Sequence, residues 1–315
     1  MLVEPTSPQS TASLSHLATE AVNPATATID QMTPLEIVTI INAEDAGVAA
    51  AVQAVLPAIA AAIAAIADHL RQGGRLLYVG AGTSGRLGAL DAIECPPTFN
   101  ISPAMIQGII AGGSFALDMA AEDQEDSETA GAADMASRAV GPRDVVVGIT
   151  ASGRSPYTLG AVHHAREQGA LTIGLTNTPT SPLAEHVAIA IAPVVGPEVL
   201  AGSTRMKAGT AQKMVLNMLS TGTMILLGKT YGNLMVDVQA TNDKLRRRAL
   251  NIVRSVTGMD DVTAAAYLDA AGGITKVAIV AAKMNLPTSE AQARLAAHDD
   301  NLRAALEGDA DDTDR

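Results

Sequence analysis

Apolar residues along this chain follow two rhythms. Between Thr33 and Gly73 they recur every three to four residues, the spacing of helices, with a break near Pro57. Thr33-Pro34-Leu35-Glu36 opens that stretch with an N-cap residue and a first-turn proline. From Arg75 to about Gly228, short β-branched or leucine-rich runs alternate with helical stretches. The runs are 75–79, 105–110, 144–149, 171–175 and 188–194, and none alternates apolar with polar, as strands covered on both faces do not. The pattern predicts a doubly wound α/β domain with a five-stranded parallel sheet, whose ligand belongs at the C-terminal strand ends. A long helix is expected over Ser203–Leu227, with Met206, Met214, Leu219 and Met224 on a stripe that reads as core or subunit contact. A second helix is expected over Leu234–Thr257, and three or four short helices over Asp260–Glu307 form a small all-helical C-terminal domain. The resulting organisation is a flexible Ser/Thr/Ala/Pro arm over 1–30, helices over 31–73, and a ligand-binding domain over 65–228. The long helix and helical domain then cover 229–308, and an acidic tail 309–315.

Two of the strand-like runs end in variants of one turn. Arg75–Val79 enters Gly80-Ala81-Gly82-Thr83-Ser84-Gly85-Arg86, and Asp144–Ile149 enters Thr150-Ala151-Ser152-Gly153-Arg154-Ser155-Pro156. A strand that ends in small residues and opens a helix presents unpaired N–H groups at a positive helix terminus, which attracts anions and phosphate above all. Two Ser-Gly-Arg turns point to one phosphorylated ligand held from neighbouring strands.

Composition narrows the chemistry. Hydrophobic residues make up 48% of the 315, yet aromatics only 2%, which suits Ala- and Val-rich helices packed on a buried sheet. A net charge of -12 argues against nucleic acid, which needs clustered Lys and Arg. The one basic run, Lys244–Arg248, reads as a solvated helix face. The single Cys95 allows no internal disulfide and no metal-ligand cluster, and the adjacent His163-His164 pair points its rings apart on a helix. Met1–Ser15 carries no leader pattern, and the longest apolar run, Ala54–Ala67, is too short to span a bilayer. A cytoplasmic protein without membrane contact is expected.

Gly80-x-Gly82-x-x-Gly85 after a strand also fits the dinucleotide fingerprint, but that fingerprint needs a carboxylate at the end of the next strand. Here that strand ends in Gly108-Ile109-Ile110-Ala111-Gly112-Gly113, and Ser-Gly-Arg recurs at 152, so a nicotinamide enzyme is rejected.

At greater length, the sequence Gly80 to Phe99, with Glu94-Cys95-Pro96-Pro97, resembles the signature of N-acetylmuramic acid 6-phosphate etherases, of the sugar isomerase (SIS) superfamily. The resemblance continues through Glu125-Asp126-Ser127, Ala151–Tyr157, Val195–Lys213, Asn217–Gly222 and Tyr231–Asn242, covering about Ile29 to Leu306. It implies a flavodoxin-like SIS sheet and cleavage of the lactyl ether at carbon 3 of N-acetylmuramic acid 6-phosphate. Elimination and then water addition give N-acetylglucosamine 6-phosphate and D-lactate, without a metal or organic cofactor. The family's two active-site glutamates fall on Glu94 and Glu125. Phosphate and substrate contacts are expected at Gly82, Thr83, Ser84, Ser152, Gly153, Ser155, Ser203, Thr204 and Lys207. Arg86, Arg154, Arg205 and Glu198 are further candidates, and Cys95 reads as a buried spacer. Ile93 stands where Ser is commoner in the family, and Ser114-Phe115 where an acid–aromatic pair is usual. The alternatives are an aldose–ketose sugar-phosphate isomerase, which shares the cradle and a carboxylate base, and a non-catalytic sugar-phosphate sensor.

The chemistry needs little more than two carboxyls. The ring-opened sugar's aldehyde acidifies the hydrogen on carbon 2, so a base there and an acid at the departing lactyl oxygen suffice. If Ser84 opens a helix, however, Glu94 sits about 15 Å further along it, too far for one small substrate. Either that helix unwinds before Cys95-Pro96-Pro97, or Glu94 serves the phosphate site of a partner subunit in a homodimer.

Overall fold

The computed structural model describes residues 19–118, 122–238 and 243–308. The chain first forms α1 (Pro34–Asp45), α2 (Val48–Gln53) and α3 (Leu56–Arg71). Thr33 and Glu36 close a capping box: Glu36 N–H donates to the Thr33 hydroxyl at 3.4 Å, and Thr33 N–H donates to the Glu36 carboxylate at 2.8 Å. Pro57 sits in the first turn of α3, where its missing N–H costs nothing. Residues 19–30, within the stretch expected as a flexible arm, lie against the 199–202 loop. Thr26 Oγ1 donates to Val199 O at 2.8 Å, and Gly202 N–H donates to Thr19 O at 3.0 Å.

Strand and helix then alternate through β1 (Leu76–Gly80), α4 (Gly82–Phe99), β2 (Ile106–Ile110), α5 (Phe115–Asp118), α6 (Glu122–Glu125) and α7 (Glu128–Ser137). They continue through β3 (Val145–Ile149), α8 (Pro156–Glu167), β4 (Leu171–Leu175), α9 (Pro182–Glu185) and β5 (Ile189–Ile191). The five strands pair in parallel in the order β2-β1-β3-β4-β5, so the doubly wound sheet read from the apolar runs is the sheet that forms. Every residue of β1 and β3 is buried. Alternate side chains feed opposite layers: Leu76 and Tyr78 pack with Ile59, Ile66 and Leu216, while Leu77 and Val79 pack with Met135 and Tyr157. Each large apolar side chain removed from water contributes roughly 1.5–3 kcal/mol. Glycines let α7 and α8 touch: a Cβ on Gly131 would lie 1.9 Å from Tyr157 O, and one on Gly160 would lie 2.0 Å from Glu128 O.

The chain leaves the sheet along α10 (Lys207–Leu226) and enters α11 (Asp243–Thr257), α12 (Asp261–Ala270), α13 (Thr275–Met284), α14 (Thr288–Ala297) and α15 (Leu302–Glu307). The helix expected from Leu234 does not include residues 234–238, and its described part starts at Asp243. Before it, Tyr231 and Leu234 form an antiparallel bridge, and Val236 and Val238 bury as loop residues. The C-terminal helices enclose a core of their own around Ile252, Leu268, Ile279 and Leu295. Lys276 ties it to the end of α10: its buried ammonium donates to Gly228 O at 3.1 Å and to Asp300 O at 2.6 Å, and pairs with Asp237 at 2.6 Å. Burial pushes the Lys276 pKa down, against the pull of Asp237. The acidic tail at 309–315 lies outside the described residues. Among the described residues, no single helix is long and apolar enough to cross a membrane.

Candidate functional site

In a sheet of this order the connections leaving β1 and β3 run to opposite sides, which opens a crevice at their C-terminal ends. Gly80 and Ile149 are register partners, so the two Ser-Gly-Arg turns stand side by side there. In the first, Gly82 has φ +52, and a Cβ built on it meets nothing within 4 Å, so the turn lies open. Ala81 precedes α4 without a side-chain cap, leaving the N–H groups of the first turn available to a ligand. In the second turn Gly153 has φ +69, and its Cβ would fall 2.2 Å from Ser181 Oγ, which reserves the position for glycine. Ser152 Oγ accepts from Arg154 N–H at 3.3 Å, and Thr150 Oγ1 lies 3.5 Å from it. Ser155 stands at the N-cap of α8 without capping it, and its buried hydroxyl has no hydrogen-bond partner among the described residues.

Ser84 is held by residues that the sequence did not single out. Its hydroxyl donates to Gln212 Oε1 at 2.9 Å, Gln212 Nε2 donates to Asn177 Oδ1 at 3.2 Å, and Asn177 Nδ2 donates to Pro193 O at 2.9 Å. This buried relay runs from the start of α4 through α10 to the end of β4. Asn177 lies two residues past β4, and the strand-end rule was the signal available for it.

The third helix terminus near the crevice is already filled. The Glu198 carboxylate, 1% exposed, accepts from Lys207 N–H at 3.0 Å and Ala208 N–H at 2.9 Å, and so caps α10. Ser203 and Thr204 form the turn before it: Met206 N–H donates to Ser203 O at 3.2 Å, and Gly209 N–H donates to Thr204 O at 2.9 Å. A Cβ on Gly209 would lie 3.6 Å from Thr83 Cγ2, so this turn meets the α4 turn at Thr83. Lys207 points elsewhere. Its buried ammonium donates to Glu44 at 2.5 Å, and that bond holds the Glu44 carboxyl below the usual range. Arg86 is half-buried and partnered, while Arg154 and Arg205 are exposed.

Glu94 lies apart from these turns. α4 continues unbroken to Phe99 with Pro96 and Pro97 inside it, so the expectation that it unwinds before Cys95 fails. Glu94 is exposed on that helix, about 15 Å along the axis from Ser84. α4 is fixed to α10 by Asp91, which accepts from Asn217 Nδ2 at 2.7 Å and Ser220 Oγ at 3.1 Å. Glu125 is half-buried and partnered at the end of α6, which packs on α8. Cys95 is buried, and burial, reinforced by Asp91, pushes its thiol up to about 12, so it offers no thiolate near neutral pH. His163 packs its ring edgewise on His186 at 5.1 Å between centroids, away from any pairing with His164.

Residues 58–166 match the family described as "Glucokinase regulatory protein N-terminal SIS domain", and residues 115–222 match the SIS domain. An N-acetylmuramic acid 6-phosphate etherase of Rubrobacter xylanophilus is 55% identical over 93% of this chain and 97% of its own. Those of Symbiobacterium thermophilum and Serratia proteamaculans are 59% and 52% identical, over 85% and 93% of this chain and 89% and 99% of theirs.

Proposed function

The chain belongs to the N-acetylmuramic acid 6-phosphate etherase family, and from that premise we propose how its own residues carry the reaction. It is a carbon–oxygen lyase that converts N-acetylmuramic acid 6-phosphate to N-acetylglucosamine 6-phosphate and D-lactate, in amino-sugar and peptidoglycan recycling. The observation that carries the site is the pairing of Gly80 with Ile149, which sets two uncapped, serine-bearing turns against each other. The substrate phosphate binds there, on the N–H groups of Gly82–Ser84 and of Ser155 and on the hydroxyls of Ser84, Ser152 and Ser155. The idle Ser155 hydroxyl supports that reading, because a buried donor without a partner costs about 1–3 kcal/mol unless a ligand accepts from it. Ser203 and Thr204 line the site beside Thr83. Lys207 shapes the loop through Glu44 and does not touch phosphate.

The reaction then takes two steps. Glu125 removes the proton from carbon 2 of the open-chain aldehyde, the carbon 3–oxygen bond breaks, and Glu94 protonates the departing oxygen to release D-lactate. Water next adds to carbon 3 of the unsaturated aldehyde, giving up a proton to the carboxylate now on Glu94, while Glu125 returns its proton to carbon 2. No metal or organic cofactor is required.

The length of α4 supports a homodimer in which Glu94 reaches the phosphate turns of the partner subunit. An apolar groove between α3 and α10, lined by Leu56, Ala60, Ile63, Met214 and Met218, supplies a surface for a second copy, with exposed Ile93 on the neighbouring α4. A phosphorylated sugar does not cross membranes freely, which agrees with a cytoplasmic enzyme.

Lactate release from N-acetylmuramic acid 6-phosphate tests the reading. Glu94→Gln should bind the product N-acetylglucosamine 6-phosphate as wild type does, yet release lactate about 10²–10⁴ times more slowly. Wild-type turnover by this variant would remove Glu94 from the chemistry. Conversion of an aldose phosphate to a ketose phosphate without lactate would favour the isomerase.

A further inference from the structure

The chain between Thr19 and α1 folds into two short helical turns, Pro24–Thr26 and Ile29–Gln31, and the first of them is tied down. Asn23 Oδ1 accepts from Ala25 N–H at 3.0 Å, and both Asn23 and Thr26 are buried. From there the segment grips both ends of one loop: Thr26 Oγ1 donates to Val199 O at 2.8 Å, and Gly202 N–H donates to Thr19 O at 3.0 Å. Gly202 has φ +77, and a Cβ on it would fall 3.3 Å from Glu20 Oε2, so Glu20 lies against the same loop. Residues 200–202 are exposed, so core packing does little to fix the tip of this loop and backbone bonds must do it.

What the loop carries gives this grip a consequence. Ser203 N–H donates to Leu200 O at 2.9 Å and Thr204 N–H to Gly202 O at 2.9 Å, so Ser203 and Thr204 take their place from residues that the segment holds. Beyond them the chain is fixed again. The Glu198 carboxylate caps α10, and the Lys207 ammonium donates to Glu44 of α1. Lys207, helped by Asn23, lowers the Glu44 carboxyl pKa against burial, which joins the segment to this second tie. The held turn in turn meets the α4 phosphate turn at Thr83. We propose that residues 19–26 are a strap that positions the Ser203-Thr204 turn against the phosphate cradle, with Thr26 as the positioning residue. The inference rests on the reading that Ser203 and Thr204 line the lyase site. If strap and sugar phosphate favour the same placement of that turn, each tightens the other.

Calorimetric titration of the full chain with N-acetylglucosamine 6-phosphate tests the proposal. The forms compared are wild type, Thr26→Val, Thr26→Ser, Ser203→Ala/Thr204→Val, and that pair combined with Thr26→Val. Thr26→Val keeps the shape of the side chain and removes its donor, so binding should weaken about threefold or more. Thr26→Ser keeps the hydroxyl and should bind within about twofold of wild type. Once the side chains of the turn are gone, Thr26→Val should cost markedly less than it does in wild type, because it acts through them. Equal losses in the two backgrounds would mean that Thr26 acts by another route, and would overturn the proposal. Wild-type affinity in Thr26→Val would overturn it too, with the site reading intact if Ser203→Ala/Thr204→Val still binds more weakly. If that pair binds as wild type does, the turn lies outside the site, and the proposal falls together with that part of the reading. A measurement on the unsubstituted chain guards against misfolding. The sugar phosphate should slow hydrogen exchange at the Ala25 and Thr26 amides, and unchanged exchange there would also overturn the strap.

Discussion

Asp144 accepts from Arg75 Nε at 2.9 Å, from Arg75 Nη2 at 2.6 Å and from Gly141 N–H at 3.0 Å, just ahead of β3. Burial pushes its carboxyl up, but these bonds outweigh burial and hold it below its ordinary value. A depressed carboxyl pKa stabilises the fold above the unfolded value of about 3.9, and that contribution is lost as pH falls through the folded value. The melting temperature gap between wild type and Asp144→Asn should therefore be widest at pH 5–8 and shrink below about pH 4. A gap of constant size across that range would show that the carboxylate charge is not what matters. Ser84 illustrates the limit of reading residues one at a time. The Ser-Gly-Arg repeat marks it, but Gln212 and Asn177, which orient its hydroxyl, lie 128 and 93 positions away in the chain, and neither carries a local signature.

At the scale of elements, helix ends decide where an anion can sit. α4 and α8 begin without side-chain caps, whereas α10 begins on the Glu198 carboxylate. Glu198→Ala should cost about 1–3 kcal/mol, because two buried N–H groups lose their acceptor. For a chain of this size that corresponds to a fall in melting temperature of several degrees, and a drop of under one degree would mean that water replaces the cap. The strands were legible because parallel strands buried on both faces read as unbroken apolar runs, and 171–175 was found to the residue. The start of α11 was not, because Leu234 and Val238 stand four residues apart, the spacing of a helix face, yet pack on the C-terminal core from a loop. Thr19 and Thr26 were hidden by composition, since a Ser/Thr/Ala/Pro stretch carries no sign that the Thr26 hydroxyl will find Val199 O or that the Thr19 carbonyl will accept from Gly202 N–H.

For the whole molecule, the separation of the α4 phosphate turn from Glu94 is the central fact. The cradle was legible as motif; the separation was legible only once α4 proved continuous through Pro96 and Pro97. If the site is shared between subunits, Glu94→Gln chains mixed with Ser84→Ala/Ser152→Ala chains should recover lactate release. Refolding the two together at equal amounts leaves about a quarter of native sites after random pairing into dimers, since each mixed dimer holds one intact site. Two inactive parents that stay inactive together would place all the chemistry within one chain.

α4 also acts as a ruler. Asp91 clamps it to α10, and it cannot shorten without breaking the turns that carry Glu94. If the site is shared as proposed, a lone copy holds only half of a working centre. Lactate released per chain per second should then fall on dilution, with a midpoint at the concentration where paired copies separate, while N-acetylglucosamine 6-phosphate still occupies the isolated ones.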